Sequence, residues 1–149
     1  METRICRSPD ETFELGASLA DRLRPGDAVL LCGGLGAGKT LFVKGVMGGL
    51  GFDIDEVTSP SFTLVNRYDA AAATVYHVDL WRLEPGIGAS AAVGLDELLE
   101  SGDAIVLIEW ADHLSGRPPA TRCINVNIEG DGDDPRTISI EAFEAENVT

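Results

Sequence analysis

The run Ala28-Val29-Leu30-Leu31-Cys32 leads directly into Gly33-Gly34-Leu35-Gly36-Ala37-Gly38-Lys39-Thr40, and this junction decides the fold. The first run is continuously apolar, as in a strand that is covered on both faces. After Thr40, apolar residues recur at helical spacing until Gly51 ends the pattern. The stretch therefore predicts a buried strand, a glycine-rich loop and a helix in direct succession.

The glycine-rich loop fits the pattern G-x-x-x-x-G-K-[ST] in the strand-to-helix context that phosphate binding requires. Glycines allow successive N–H groups to face inward, and the following helix adds partial positive charge at its N-terminus. We expect Lys39 to reach the β- and γ-phosphates and Thr40 to bind Mg²⁺. The alternative is a glycine-rich turn that binds no nucleotide. The predicted nucleotide-binding residues of the loop are Gly33, Gly34, Leu35, Gly36, Ala37, Gly38, Lys39 and Thr40.

Two carboxylates stand at the ends of other apolar runs and are candidates for a metal site. Asp79 ends the predicted strand Thr74–Asp79, and Glu109 follows the fully apolar run Ala104–Ile108. Beside a phosphate loop, such a carboxylate is typical of a residue that binds Mg²⁺ or positions water. The alternative for each is a solvated cap or an ion-pair residue. The predicted catalytic residues are Lys39, Asp79 and Glu109, and the predicted metal ligands are Thr40, Asp79 and Glu109.

The segment Thr58-Ser59-Pro60-Ser61-Phe62-Thr63 is rich in hydroxyl groups and lies between the loop and Asp79. Segments that sense a γ-phosphate occur at this place in nucleotide switches. We therefore predict that Thr63 contacts the nucleotide. The alternative is a simple turn that enters a strand.

Two histidines and one tryptophan need a separate interpretation. His77 and His113 have no neighbours at metal-ligand spacing, and such histidines are more often structural or exposed than catalytic. We assign neither of them a role. Trp110 follows Glu109 directly and is either a core aromatic or a contact for a partner.

The other patterns predict one α/β domain over residues 1–149 with a mixed central sheet. A capping box at Ser8 with proline behind it marks the start of the first helix. The segment Glu84–Gly94 is rich in glycine, and we expect it to be the most mobile part; the last eight residues are expected to fray. The predicted helices are Pro9–Leu23 and a short one over Leu95–Glu100. The predicted strands are Ser61–Val65, which pairs with Thr74–Asp79 after a connection over Tyr68–Ala73, with antiparallel order as one option, and a C-terminal β-hairpin of Cys123–Ile128 and Thr137–Ile140.

Composition excludes several classes of protein. A length of 149 residues suits one domain, because two domains would each bury too little core. The chain carries 11 Lys and Arg against 25 Asp and Glu, a formal net charge of -14, which argues against broad nucleic-acid binding by the chain alone. Its three cysteines form no C-x-x-C pair, and no apolar run approaches a membrane span. We therefore expect a cytoplasmic protein without membrane association, whose contact with RNA requires a basic partner.

Four motifs in one order resemble the bacterial TsaE family, the small ATPases of tRNA threonylcarbamoyladenosine biosynthesis. They are Gly33-Gly34-Leu35-Gly36-Ala37-Gly38-Lys39-Thr40, Thr58-Ser59-Pro60-Ser61-Phe62-Thr63-Leu64-Val65, His77-Val78-Asp79-Leu80-Trp81-Arg82-Leu83 and Ile108-Glu109-Trp110. The resemblance runs from the first helix to the final hairpin and implies a P-loop NTPase fold. It departs from the family pattern at Gly34, where the family usually has Asp.

This resemblance also implies an activity and partners. ATP and Mg²⁺ would be bound, and ATP would be hydrolysed, slowly by the chain alone, within a complex that contains the TsaB and TsaD proteins. In that family the complex attaches a threonylcarbamoyl group to adenosine 37 of certain tRNAs, and the ATPase does not perform the transfer itself. Contact with tRNA would then be indirect, through the complex.

Two other functions remain open on the residues alone. A small-molecule kinase would use the same loop, but it needs an acceptor pocket and usually an arginine-bearing lid. The obvious candidate lid, Glu84–Gly94, contains neither Arg nor Lys. A nucleotide-regulated binding module with negligible turnover would use its ATP state only to control association.

Overall fold

A seven-stranded mixed β-sheet with helices on its faces forms the framework of the protein, seen in a computed structural model. The structure describes residues 2–34, 38–58, 60, 63–85, 88, 93–100, 102–114, 116, 118–130 and 135–144. The strands are β1 (Glu2–Cys6), β2 (Asp27–Gly33), β3 (Val65–Asp69), β4 (Thr74–Asp79), β5 (Ala104–Glu109), β6 (Arg122–Glu129) and β7 (Arg136–Glu144). The helices include α1 (Pro9–Ala20), α2 (Lys39–Gly49) and α3 (Leu95–Glu100), and short 3-10 turns cover Ile54–Glu56 and Ala111–His113.

Strand direction brings the predicted site residues to one edge of the sheet. The strand order is β1-β7-β6-β2-β5-β4-β3, and the four neighbours β6, β2, β5 and β4 run parallel. The outer strands pair antiparallel. Since parallel strands end at the same edge, β2 delivers Gly33 to the edge where β4 and β5 deliver Asp79 and Glu109. This confirms the α/β class and the mixed sheet.

The two central strands alternate their side chains between two apolar cores. Val29 and Leu31 of β2 pack in the core that contains α1 and α2. Ala28 and Leu30 face the opposite way and pack with Leu95 of α3. Because both faces are covered, the continuous apolar runs predicted for β2 and β5 are confirmed as central strands.

Helix α1 begins at the predicted capping box. The Ser8 hydroxyl accepts a hydrogen bond from the Glu11 backbone N–H at 3.2 Å, and the Glu11 carboxylate accepts one from the Arg7 N–H at 2.8 Å. Pro9 occupies the first helical position, where its missing N–H costs nothing. The helix ends at Ala20, three residues before the predicted end at Leu23.

Glycines set how closely α1 and α2 approach. A Cβ atom at Gly45 of α2 would lie 2.1 Å from the Phe13 carbonyl oxygen of α1, and one at Gly16 would lie 2.4 Å from the Phe42 carbonyl oxygen. Backbone therefore packs directly on backbone at this crossing. The contact fixes the position of α2, and with it the helix N-terminus at which Lys39 lies.

We expect Gly45→Ala to lower the free energy of unfolding by about 2 kcal/mol or more, because overpacking of this contact must push the helices apart. Gly48→Ala is the matched control on the same helix, since its Cβ would meet side-chain atoms instead of backbone, Ile54 Cγ2 at 3.1 Å and Phe13 Cζ at 3.5 Å. At this exposed position the free energy of unfolding should stay the same or rise slightly, because Ala has the better helix propensity. Urea denaturation of both variants measures the difference. Equal stability of the two variants would contradict the close packing.

Several boundary predictions were wrong. Strand β1 was not predicted, because its residues are mostly exposed and it holds its edge position through backbone pairing with β7. Strand β3 covers Val65–Asp69 instead of Ser61–Val65, so the connection is shorter than Tyr68–Ala73 and is closed by a hydrogen bond from Ala70 N–H to the Ala73 carbonyl. The antiparallel pairing of this strand with β4 is confirmed.

The C-terminal hairpin is confirmed and extends further than predicted. Strand β7 reaches Glu144, and residues 142–144 pair with 122–124 of β6, so fraying of the last eight residues was wrong for these three. Residues 145–149, and much of Glu84–Gly94, lie outside the described residues. Within the described part of the chain, no helix is both long enough and apolar enough to cross a membrane.

Candidate functional site

Lys39 lies where the glycine-rich loop that follows β2 meets helix α2. It is the first residue of α2, after Gly38, whose φ of 103° suits glycine. The Lys39 Nζ donates hydrogen bonds to the Gly33 and Gly34 carbonyl oxygens at 2.7 and 2.8 Å. The same Nζ lies 3.9 Å from the centre of the Trp110 ring. The ammonium group is therefore held at the mouth of the loop with only 6% of the residue exposed.

The charges around Lys39 are mostly negative. Burial lowers the pKa of the Lys39 ammonium below its usual value, and the nearby carboxylates of Glu109, Asp112 and Asp79 act in the opposite direction. One cation thus stands among three carboxylates. An anionic phosphate would fit here best together with a divalent cation, which offsets this excess of negative charge.

The two predicted carboxylates lie side by side. Asp79 and Glu109 are register partners on β4 and β5, and both are buried. The Thr40 hydroxyl lies 3.5 Å from Glu109 Oε1, and the Trp81 backbone N–H donates to Asp79 Oδ1 at 2.9 Å. The structure therefore brings Thr40, Asp79 and Glu109 together next to Lys39.

The chemistry of this donor set suits magnesium. A hydroxyl and two carboxylates are hard oxygen ligands, the type that Mg²⁺ prefers. Among the residues that the structure describes, no three His, Cys, Asp or Glu side chains form a complete metal site. Mg²⁺ that is bound together with nucleotide takes its remaining ligands from phosphate oxygens and water.

Sequence reasoning missed His77. Its side chain is fully buried, and its Nε2 lies 2.5 Å from Glu109 Oε2. The position could have been found from strand alternation, because His77 and Asp79 are two residues apart on β4 and share the face that also carries Glu109 on β5. The absence of metal-ligand spacing gave no reason to look there.

An aromatic cluster lies beside Lys39, and it includes His113, which also received no role. The rings of Trp81 and Trp110 have their centres 4.4 Å apart, and those of Trp110 and His113 are 5.7 Å apart. His113 Nδ1 lies 2.8 Å from the Leu80 carbonyl and 2.9 Å from that of Leu83, so it carries the proton and donates. His113 thus ties the turn after β5 to the chain after β4.

The hydroxyl-rich segment is anchored to strand β3. The Thr63 hydroxyl donates to Asn66 Oδ1 at 2.9 Å, and the Asn66 amide donates to the Thr58 carbonyl and hydroxyl at 3.3 and 3.2 Å. The Tyr68 hydroxyl accepts from the Thr58 N–H and donates to the Thr58 carbonyl, both at 3.1 Å. Both ends of Thr58–Thr63 are therefore fixed to the same strand.

Two of the residues at the carboxyl edge have a strained backbone. Leu64 and Trp110 are the non-glycine residues with positive φ in the described part of the chain, at 68° and 58°. Leu64 accepts the Asp79 N–H through its carbonyl, and Trp110 directly follows Glu109. Left-handed backbone at such residues costs energy and concentrates at functional sites.

Some of the predicted site residues stay predictions. Leu35, Gly36 and Ala37 of the loop lie outside the described residues, as do Ser59, Ser61 and Phe62 of the hydroxyl-rich segment. Contact of Thr63 with a nucleotide also stays a prediction, since its hydroxyl is engaged by Asn66 here.

The chain is similar to proteins of one known family. Residues 6–138 match the family model described as threonylcarbamoyl adenosine biosynthesis protein TsaE. The tRNA threonylcarbamoyladenosine biosynthesis protein TsaE of Bacillus subtilis is 38% identical over 135 residues, which cover 91% of this chain and 82% of the relative. The protein of the same name from Treponema pallidum is 35% identical over 136 residues, covering 91% of this chain and 98% of the relative.

The fold has a solved counterpart. A crystal structure of Bacillus subtilis YdiB aligns with a TM-score of 0.72 and 33% sequence identity, over 97% of this chain and 84% of the other. The family match spans β2, β4 and β5, the strands that end in the glycine-rich loop and the two carboxylates. By family match, sequence identity and fold, the chain belongs to the TsaE family.

Proposed function

We propose that this chain is a Mg²⁺-dependent ATPase of tRNA threonylcarbamoyladenosine biosynthesis and that it acts in a complex with TsaB and TsaD. The observation that carries the ATPase assignment is the convergence of Lys39, Thr40, Asp79 and Glu109 at the carboxyl edge of parallel strands. The names of the relatives support the place in tRNA modification.

Each residue has a role that its surroundings support. Lys39 binds phosphate oxygens, because its ammonium lies beside the Gly33 and Gly34 carbonyls at the N-terminus of α2. Thr40 binds Mg²⁺, and Asp79 and Glu109 share metal coordination and the positioning of the attacking water. Bound Mg²⁺ would neutralise part of the negative charge of the phosphates. Thr63 senses the γ-phosphate.

An assay of ATP hydrolysis with and without TsaB and TsaD tests this proposal. We expect slow turnover by the isolated chain and faster turnover in the complex, both lost when Mg²⁺ is chelated. A screen of small phosphate acceptors belongs in the same assay. Transfer of the γ-phosphate to one of them would replace the proposal by a small-molecule kinase, and tight ATP binding without turnover in any complex would leave a nucleotide-regulated binding module.

The chain would act on tRNA only indirectly, in the cytoplasm. With 11 basic against 25 acidic residues, it lacks the cations that phosphate contacts along RNA need. Its influence must then pass through protein contacts, and its nucleotide state is the available signal. The exposed Trp81, stacked on Trp110 beside Lys39, offers such a contact at the site itself.

We expect association with TsaB and TsaD to depend on bound nucleotide, because a γ-phosphate can engage the Thr63 hydroxyl and hydrolysis releases that contact. Size-exclusion chromatography with a non-hydrolysable ATP analogue, ADP or no nucleotide measures this dependence. Trp110→Ala should weaken the dependence of this association on nucleotide. Ile5→Ala serves as the control, since Ile5 is an exposed apolar residue of the edge strand β1.

Two results would contradict the partner model. One is the absence of any association with TsaB and TsaD in all three nucleotide states. The other is tight tRNA binding by the isolated chain at physiological salt, since that would make an indirect route unnecessary.

A further inference from the structure

His77 is a buried polar side chain to which the residue roles above assign nothing. It is 0% exposed, and its Nε2 lies 2.5 Å from Glu109 Oε2. Because a carboxylate oxygen can only accept, Nε2 carries the proton and donates it. His77 Nδ1 has no hydrogen-bond partner among the described residues. His77 therefore uses its Nε2 donor for Glu109.

The two oxygens of the Glu109 carboxylate have different partners. Oε2 is held from inside the core by His77, whereas Oε1 lies 3.5 Å from the Thr40 hydroxyl at the head of α2. A glutamate has three rotatable bonds, and without a partner on Oε2 its carboxylate could turn away from the site. The hydrogen bond therefore leaves Oε1 as the oxygen that faces the nucleotide site.

The imidazole is itself held in place. Its ring centre lies 6.2 Å from that of Tyr68, whose hydroxyl is bonded to the Thr58 backbone. Val75, two residues earlier on β4, is packed into the same apolar core. These neighbours on β3 and β4 leave the imidazole little freedom to move. A group that is itself fixed can hold a neighbouring side chain to within a fraction of an ångström.

We propose that His77 is a positioning residue for Glu109: it holds Oε2 so that Oε1 points at the Mg²⁺–ATP site. This rests on the proposed ATPase function and deepens it, since it names the group that fixes the orientation of the predicted carboxylate. His77 touches neither substrate nor metal in this role. It acts through Glu109 alone.

The test compares His77→Leu with His77→Gln, because the Gln amide can place a donor near the position of Nε2. We expect His77→Leu to lower kcat about 10- to 100-fold while the KM for ATP changes less than about threefold. His77→Gln should recover most of kcat. Val75→Ala is the matched control, because it also removes apolar contacts from the core that packs on β4. Val75 contacts no carboxylate among the described residues, so this variant should keep the kcat of the original chain.

A second measurement needs neither nucleotide nor metal. In the ligand-free protein labelled with ¹⁵N-histidine, NMR should show that the Nε2–H of His77 is protected from exchange with solvent. Glu109→Ala should abolish that protection, and Val75→Ala should preserve it. In kinetics, adding His77→Leu to Glu109→Gln should cost little beyond the single Glu109 change, because both act through one group.

The outcomes separate the two proposals. Wild-type kcat in His77→Leu, or an equal loss in Val75→Ala, would overturn the positioning role while leaving the ATPase intact. If His77→Leu fails to fold, His77→Gln and the NMR experiment decide. An Nε2–H of His77 that stays protected in Glu109→Ala overturns the positioning role. An original chain that hydrolyses no ATP in any complex would remove the proposed function, and the NMR result would still report on the contact itself.

Discussion

Lys39→Ala is expected to abolish ATP turnover and to weaken ATP binding about 100-fold, because a charge-assisted contact with phosphate is worth about 2 to 3 kcal/mol. The fold should persist. The Lys39 Nζ bonds the Gly33 and Gly34 carbonyls and lies over the Trp110 ring, so truncation removes contacts at the site and leaves the two apolar cores intact. Calorimetric titration with Mg²⁺–ATP measures the affinity, and circular dichroism checks the fold.

The matched control is Lys44→Ala. Lys44 lies on the same helix, about one turn further on, and is half-buried. It should bind ATP as the original chain does. Unchanged affinity and turnover in a folded Lys39→Ala variant would remove the phosphate-binding assignment altogether, whatever the other site residues did.

The second large effect is expected at the paired carboxylates. Asp79→Asn and Glu109→Gln keep the shape of each side chain and remove its charge. A role in metal binding and water positioning predicts a loss in kcat of about 100-fold or more, with ATP affinity changed much less. Single-turnover hydrolysis together with nucleotide titration separates the two quantities.

Magnesium titration then assigns the roles within the pair. The variant that has lost a direct ligand should need more Mg²⁺ for half-maximal turnover, whereas loss of water positioning lowers the maximal rate alone. Glu141→Gln is the control for charge removal, since Glu141 is an exposed carboxylate of β7. A variant with normal turnover and the normal magnesium requirement does not belong to the metal site.

The sequence was most informative where local pattern and burial agree. The apolar runs of β2 and β5 have both faces covered, so a continuous run was sufficient to identify them. The start of α1 follows from a capping box that works through residues within one turn. The proximity of Asp79 and Glu109 follows from parallel strands that end at one edge.

The features that were missed depend on partners distant in sequence. Strand β1 is polar and exists because β7 offers it an open edge 130 or more residues away, as in the pairing of Cys6 with Arg136. Strand β3 was displaced from its predicted position because Asn66 and Tyr68 hold Thr58, and no periodicity reports such a bond. His77 needed both the alternation of β4 and the presence of Glu109 on the next strand.

The stacking of Trp81 on Trp110 gives this protein a built-in optical reporter. The chain contains two tryptophans, and both belong to the cluster beside the Lys39 ammonium. All indole emission of the unmodified chain therefore arises within a few ångströms of the loop mouth, where one cation sits over a ring. Any event that displaces that cation changes the electric field on the indole, so stopped-flow fluorescence can follow loop occupancy in real time without attaching a dye.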